Sequence, residues 1–551
     1  MSTGNGSISP HPELAADGIP ALRPRWVELA TSGNHKDVGR MLITGGLSFL
    51  ALAAIELVLL RLQLAIPEND LIDPTAFNRL LSVSGVTVVF LAVLPLAFGL
   101  FAYLVPLQIG ARGLAFGRLS NFSFWLWVLG VTTIYTTFVF TPPDTGLNPW
   151  PPLSESTFAS NNGVDGWIVG CGLALLGMVL MAANIVATLR TSRAPGMAWR
   201  RVPLFSWAAA VCSYVVLVAG GAMLAAMTML FIDRHFSGVF FDAGESGAPL
   251  YWQHLSSIFF NAVWIVTLLP AIGAISEILS ALSGKPLFGR RPIAAAMVAI
   301  GVLGLLAWIQ NMFTAAIPLG FLYAAQFAAV MLIVPFGMIL FNWFGTLAGG
   351  ALQRRAPLLF ALGAISTITV GLAMNLVQAV IPADWMIAGT AADTATSGYV
   401  IVGGAVLGNF AALHYWYPKI TGRTMGETMA RISLVAILVG VHLTFLPMFV
   451  AGLDSQPADV YKYFDVGSLD VLNLISTIGA VVLAIGVLAT VINALLSRES
   501  GARAGHDPWR GETLEWYALA PPPEHNFDVV PDIRSAQPLR DIRDAVTRST
   551  T

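Results

Sequence analysis

Catalysis needs nucleophiles, titratable pairs or metal donors at workable spacing, and this 551-residue chain is sparing with all of them. Of its eight histidines, His11, His35, His506 and His525 fall in polar terminal segments and His235 in a loop, which leaves His254, His414 and His442 in apolar stretches. No two of them stand at His-x3-His spacing, and there is no Cys-x-x-Cys pair, Gly-rich phosphate loop or nucleophile elbow. Cys171 and Cys212 lie far apart in apolar runs and read as small buried thiols. Glu56 and Glu277 interrupt apolar stretches, where charge is costly. Each reads as an interfacial or locally hydrogen-bonded carboxylate rather than a proton relay. Amides also stand in the apolar stretches, among them Asn261, Gln310 and Asn311. Converging, they could hold a small polar ligand, but mutual hydrogen bonding is the preferred reading, since buried amides seek partners.

The elements that position these residues are helices in a membrane. With 56% hydrophobic and 11% charged residues and a mean hydropathy of +0.73, the chain is too apolar for water-soluble domains. An apolar run of about 20 residues crosses a hydrocarbon core of about 30 Å. Twelve such runs are expected, near 41–62, 79–108, 122–143, 164–187, 204–232, 253–283, 292–316, 321–350, 357–381, 395–418, 429–452 and 471–497. The fold class is therefore all-α, a polytopic twelve-helix bundle over 41–497. Residues 1–40 form an N-terminal arm with a short amphipathic piece around Pro24 to Leu29, and 498–551 a polar tail without a core of its own. Lys and Arg concentrate on the cytoplasmic side of membrane helices. With a cytoplasmic N-terminus, 25 of the 29 basic residues fall inside and only Arg61, Arg79, Arg234 and Lys462 outside. Both termini are expected in the cytoplasm. No cleavable signal peptide is expected either, because the first 40 residues lack a long apolar run.

Several stretches carry a family resemblance. Val105-Pro106-Leu107-Gln108-Ile109-Gly110-Ala111-Arg112 is followed by Arg193-Ala194-Pro195-Gly196-Met197, then by Trp252-Gln253-His254-Leu255 and Lys285-Pro286-Leu287-Phe288-Gly289. Leu413-His414-Tyr415-Trp416-Tyr417-Pro418-Lys419 comes later, and the tail adds Thr513-Leu514-Glu515-Trp516 and Pro521-Pro522-Pro523-Glu524-His525-Asn526-Phe527. In this order and spacing the runs closely resemble subunit I of the haem-copper oxidases, the twelve-helix core of cytochrome c oxidase. The tail looks like the bacterial branch, of actinobacterial type. The resemblance covers nearly all of 30–530 and implies a bacterial cytoplasmic membrane and a place in aerobic respiration.

The resemblance also implies six histidines that hold a low-spin haem, a high-spin haem and a copper ion, with imidazole as the nitrogen donor. None of the six stands here. The first low-spin haem ligand is replaced by Ser84, and the haem ligands of the tenth helix by Thr396 and Gly398. The copper histidines are replaced by Asn261, Gln310 and Asn311. The family's magnesium pair is Ala388-Gly389, and two arginines beside the haem propionates are Ala458-Asp459. The proton paths are altered likewise: Gly113 replaces the aspartate at the mouth of one path, and Ala102 and Ser120 replace asparagines along it. Val263 stands for the glutamate, Ile265 for the redox-active tyrosine and Ile339 for the lysine of the second path. Phe101, Phe260 and Phe336 replace smaller residues, which suggests that side chains fill the vacated pockets.

The preferred reading is a non-catalytic relative of cytochrome c oxidase subunit I, a pseudoenzyme without haem, copper or magnesium, kept for assembly, regulation or association with respiratory proteins. Membrane lipids and oxidase subunits II and III are the expected partners, and nucleic acid is not. Two alternatives stay open. One is a functioning terminal oxidase with displaced ligands drawn from His254, His414 or His442; the other is a pore or carrier that uses the emptied centre.

Overall fold

A computed structural model describes residues 25–550 of the chain apart from Leu147. Residues 1–24 of the arm, with His11 and Arg23, lie outside the described residues. Twelve helices are long and apolar enough to cross a membrane: His35–Gln63, Pro74–Ile109, Gly117–Phe140, Gly163–Thr191, Leu204–His235, Pro249–Ser283, Arg290–Met312, Leu319–Leu347, Ala356–Gln378, Ala391–Thr421, Glu427–Leu453 and Leu469–Ser500. The number and order match the expected spans. The first helix starts earlier than hydropathy suggests because Asn34 caps it, its side chain accepting from Lys36 N at 3.0 Å. The second begins at Pro74, a residue suited to a first turn, behind Asp73, whose carboxylate accepts from Ala76 N at 3.1 Å. It ends at Gly110, where φ of +73° makes glycine the natural terminator.

Most successive helices pack on one another, the third packs on the first and fourth, and the twelfth returns against the first. Burial separates the helices into two groups. The apolar windows of the second, sixth and tenth helices are 94%, 83% and 78% buried, whereas the other nine lie between 28% and 61%. A helix that is apolar all round belongs inside the protein, so these three form the centre and the others present one face to lipid. First and second helices approach closely at Gly99, where a Cβ would lie 2.8 Å from Ile43 N.

The C-terminal tail packs against the bundle. Trp509, Leu514, Trp516 and Ile533 are buried there, and Lys419 donates to Ala518 O at 2.7 Å. Residues Pro538–Thr550 form a helix that the sequence reading missed, although a proline start followed by Leu539, Ile542 and Val546 at helical spacing signals one. At the other end, Arg25–Thr31 is helical, in keeping with the expected amphipathic piece.

Candidate functional site

The central helices are irregular at the vacated positions. Three residues after Ser84 the second helix widens into a π-helical segment, Thr87–Val93. In the tenth helix another, Tyr399–Val406, starts directly after Gly398. The seventh helix tightens into a 3₁₀ segment, Trp308–Met312, that contains Gln310 and Asn311. Wide or tight turns inside a helix cost hydrogen-bond geometry and concentrate at functional sites. The backbone therefore keeps distorted turns beside the vacated positions.

The side chains there are committed to local contacts. Ser84 Oγ donates to Leu81 O at 3.0 Å and Thr396 Oγ1 to Ala392 O at 2.9 Å, each within its own helix. Gly398 has no room for a side chain, because an added Cβ would lie 2.3 Å from Cε1 of Phe445, which projects from the eleventh helix. Asn261 donates to Gly304 O at 2.6 Å and accepts from Trp264 Nε1 at 3.3 Å, so it ties the sixth helix to the seventh. Gln310 is buried, whereas Asn311 is exposed. The expected amide cluster is therefore corrected. Among the described residues no hydrogen bond joins Asn261 to Gln310 or Asn311, since the 3₁₀ turn carries Asn311 outward and the Gly304 carbonyl takes the Asn261 amide.

Val263, Ile265 and Ile339, expected in place of the family's glutamate, tyrosine and lysine, are buried and apolar. Ile265 packs into the space above Gly304, where a Cβ would meet its Cδ1. Phe336 lies 6.1 Å from Trp264 between ring centroids, and Phe101, wholly buried, lies 5.7 Å from Phe98 and 5.2 Å from Phe205. Phe260 is half-buried, 5.4 Å from Phe259. Five prominent cavities of about 270–480 Å³ lie toward the periphery, and none is lined by Ser84, Thr396 or Gly398.

Residues 37–482 match the family described as Cytochrome C and Quinol oxidase polypeptide I. The chain belongs to that family. It is 36% identical over 513 residues to cytochrome c oxidase subunit 1 of Bacillus subtilis (strain 168), covering 92% of this chain and 82% of the relative. It is 33% identical over 513 residues to a protein of Aeropyrum pernix named heme-copper oxidase subunit I+III, covering 93% and 62%. A solved heme-copper terminal oxidase dimer shares the fold, with a TM-score of 0.71 at 15% identity over 88% of this chain and 87% of that one.

In this cytochrome c oxidase subunit I-like protein the three membrane histidines are apart and engaged. His254 Nδ1 accepts from Trp308 Nε1 at 3.4 Å, His442 Nδ1 pairs with Tyr399 OH at 2.8 Å, and His414 stacks on Phe360 at 4.5 Å with Nδ1 on Phe410 O at 2.7 Å. Among the described residues no three His, Cys, Asp or Glu side chains converge at metal-binding distance. Cys171 and Cys212 are buried free thiols, as expected. Both membrane carboxylates are locally hydrogen-bonded: Glu56 Oε1 accepts from Thr87 Oγ1 at 3.2 Å, and Glu277 Oε1 accepts from Leu204 N at 2.7 Å, at the start of the fifth helix.

His35 corrects a further expectation. Instead of lying in the arm, it is buried in the first turn of the first helix, with Nδ1 on Ala102 O at 3.0 Å and Nε2 beside Asn526 of the tail. Its ring borders Gly113, where a Cβ would lie 3.7 Å from His35 Cδ2. Lys36 donates to Glu524 O and Asn526 Oδ1, both at 2.8 Å. The sequence therefore placed this polar turn too far out, because its partners come from a tail 490 residues away. Ser120, deeper along the same altered path, accepts from Asn184 Nδ2 at 2.8 Å.

At the opposite end, Ala388 and Gly389 meet the loop that carries Ala458 and Asp459, through Ala458 N donating to Gly389 O at 2.8 Å. Two carboxylates there escaped the sequence reading, although both stand in an apolar stretch. Asp393 accepts from Gln378 Nε2 at 2.7 Å and from Gly389 N at 2.6 Å. Asp384, in the short helix Ile381–Ile387 between two spans, is pushed up to about 7 by burial, with the nearby Asp393 charge adding to the shift. An acid with a raised folded pKa binds a proton that the unfolded chain has released, so stability falls as pH rises from about 4 through about 7. D384N is expected to recover on the order of 1 kcal/mol at pH 8 and to change little at pH 5. Thermal unfolding at the two pH values checks this.

Proposed function

We propose that this subunit I-like protein is non-catalytic and serves assembly, regulation or partner binding in a bacterial respiratory chain. The observation that carries the reading is the contact between Gly398 and Phe445, whose ring crowds the space that a ligand side chain at this position would need. The other five positions support it. Serine and threonine hydroxyls held by their own helices and neutral amides are poor replacements for imidazole on iron or copper. The residues do not fit the metal centre, and haem, copper and magnesium are therefore absent from the proposed protein. Ile339, Val263 and Ile265 extend the same change to proton delivery, since none of them can carry a proton.

In this reading the bundle lies in the cytoplasmic membrane with both termini inside, as the basic residues suggest. Its protein partners are the second and third subunits of an oxidase. The name of the Aeropyrum pernix relative, which joins subunits I and III, supports the third-subunit contact. Purification of the full chain from its native membrane tests the proposal. The expected result is co-purification with other oxidase subunits, together with no contribution by this chain to oxygen uptake from reduced cytochrome c. Oxygen uptake that requires this chain as the sole subunit I present would overturn it.

A further inference from the structure

Two clefts meet at Arg200 on the basic face of the bundle, and they differ in character. One, of about 370 Å³, is lined by Arg190 in the last turn of the fourth helix and by Arg193, Arg200 and Arg201 in the connection to the fifth. The other, of about 270 Å³, runs along the fifth and seventh helices past Leu204, Trp207 and Val298, with Arg290 and Arg291 at its rim. Among the described residues none of the six arginines forms an ion pair. Glu277 and Glu512 act electrostatically on Arg290, which also donates to Val202 O.

The arginine cleft is held in shape by its own loop. Arg193 Nη1 donates to Met197 O at 3.1 Å, and its guanidinium lies 4.8 Å from the centre of the Trp199 ring. Its Nε is buried without a partner. Arg201 Nη1 donates to Gly196 O at 2.8 Å and to Ile533 O of the tail at 2.9 Å. Arg190 and Arg200 are exposed and make no hydrogen bond in the fold, so their donors are available to a ligand. Four positive charges without an ion-pair partner make the cleft attractive to an anion. Trp207 lines the second cleft, and Trp199, 5.1 Å from it, packs against the Arg193 guanidinium of the first, a pairing suited to aromatic rings at a membrane interface.

We propose that the paired clefts bind an acidic phospholipid: its phosphodiester rests among Arg190, Arg193, Arg200 and Arg201, and an acyl chain runs along Leu204, Trp207 and Val298. Basic pockets between membrane helices suit such headgroups. A free phosphate would use only the first cleft, whereas a lipid uses both, and the second lies on helices whose outer faces meet hydrocarbon. The site depends on neither haem content nor catalytic activity, so it stands apart from the non-catalytic reading.

The test is thermal unfolding of the purified full chain in neutral detergent during titration with phosphatidylglycerol. The midpoint is expected to rise to saturation, with no comparable rise from phosphatidylcholine of the same acyl chains or from inorganic phosphate. R190Q/R200Q removes two guanidinium groups that make no hydrogen bond in the fold, Arg190 lying 5.6 Å from the centre of the Tyr214 ring, and should raise the half-saturating concentration about tenfold or more. R354Q/R355Q, on the same face but away from the clefts, should titrate as the wild type. If the first double variant fails to fold, R200Q alone should still shift the midpoint concentration several-fold. An equal response to phosphatidylcholine, the same rise with inorganic phosphate, or unchanged titration of the folded arginine variants would overturn the proposal.

Discussion

G398H is expected to unfold at a markedly lower temperature than the wild type and to gain no haem. Around Gly398 the Phe445 ring offers Cε1, Cδ1 and Cζ at 2.3, 2.5 and 2.6 Å from an added Cβ, closer than real Cβ contacts. The ring cannot easily move aside. It is buried and lies 6.0 Å from Tyr399, whose hydroxyl is fixed to His442. Overpacking of this kind costs about 1–3 kcal/mol and occasionally more. G398A alone should show most of the loss. F445A should also destabilise the chain, by about 3–5 kcal/mol, because it opens a cavity. The decisive result is G398H/F445A, which should be less destabilised than the sum of the single changes, since each relieves the other. Additive losses in thermal unfolding would show that Phe445 is not what excludes a side chain at 398.

The second large effect is at the tail. Glu515 is wholly buried, and its Oε1 accepts from Thr513 Oγ1 at 2.8 Å, Trp416 Nε1 at 3.0 Å and Gln108 Nε2 at 3.2 Å. One carboxylate therefore joins the tail to the second and tenth helices. E515A would leave the Trp416 and Gln108 donors buried and unpaired, at a cost of on the order of 3 kcal/mol or more. The expected readout is faster proteolysis after residue 500 together with a lower unfolding temperature. Burial also raises the Glu515 pKa above the ordinary carboxylate range. By the sign of that shift, its contribution to stability declines as pH rises through and above that range. E515Q keeps one acceptor oxygen and should lose less than E515A.

Much of this molecule was legible in the sequence because membrane solvation is an unforgiving rule. Each apolar run had to become a helix, so all twelve appeared in the expected order. The expectation of vacated ligand positions has another source: Trp252-Gln253-His254 and similar landmarks set the register in which Ser84 and Gly398 fall at ligand positions of the resembled family. What remained hidden depended on distant partners. Nothing near Asn261 in sequence announces the Gly304 carbonyl that takes its amide, and nothing near His35 announces Asn526. Composition gives no sign of the π-helical turns after Ser84 and Gly398, because they reflect hydrogen-bond register rather than residue type. The bulk that fills the site was only partly visible. Phe101 and Phe336 were noticed, while Phe445, which crowds Gly398, and Trp264, which donates to Asn261, were not. A glycine facing an aromatic ring from another helix is a pair that hydropathy cannot register.

The most direct test of the non-catalytic reading is a pyridine haemochrome spectrum on the purified chain, with haem quantified per polypeptide and a marker for carry-over from other oxidases. The account predicts no stoichiometric haem. About two haems per chain, the number that the family's ligand set holds, would contradict it. Phe445 and Asn261 would then have to occupy different places in the haem-loaded protein.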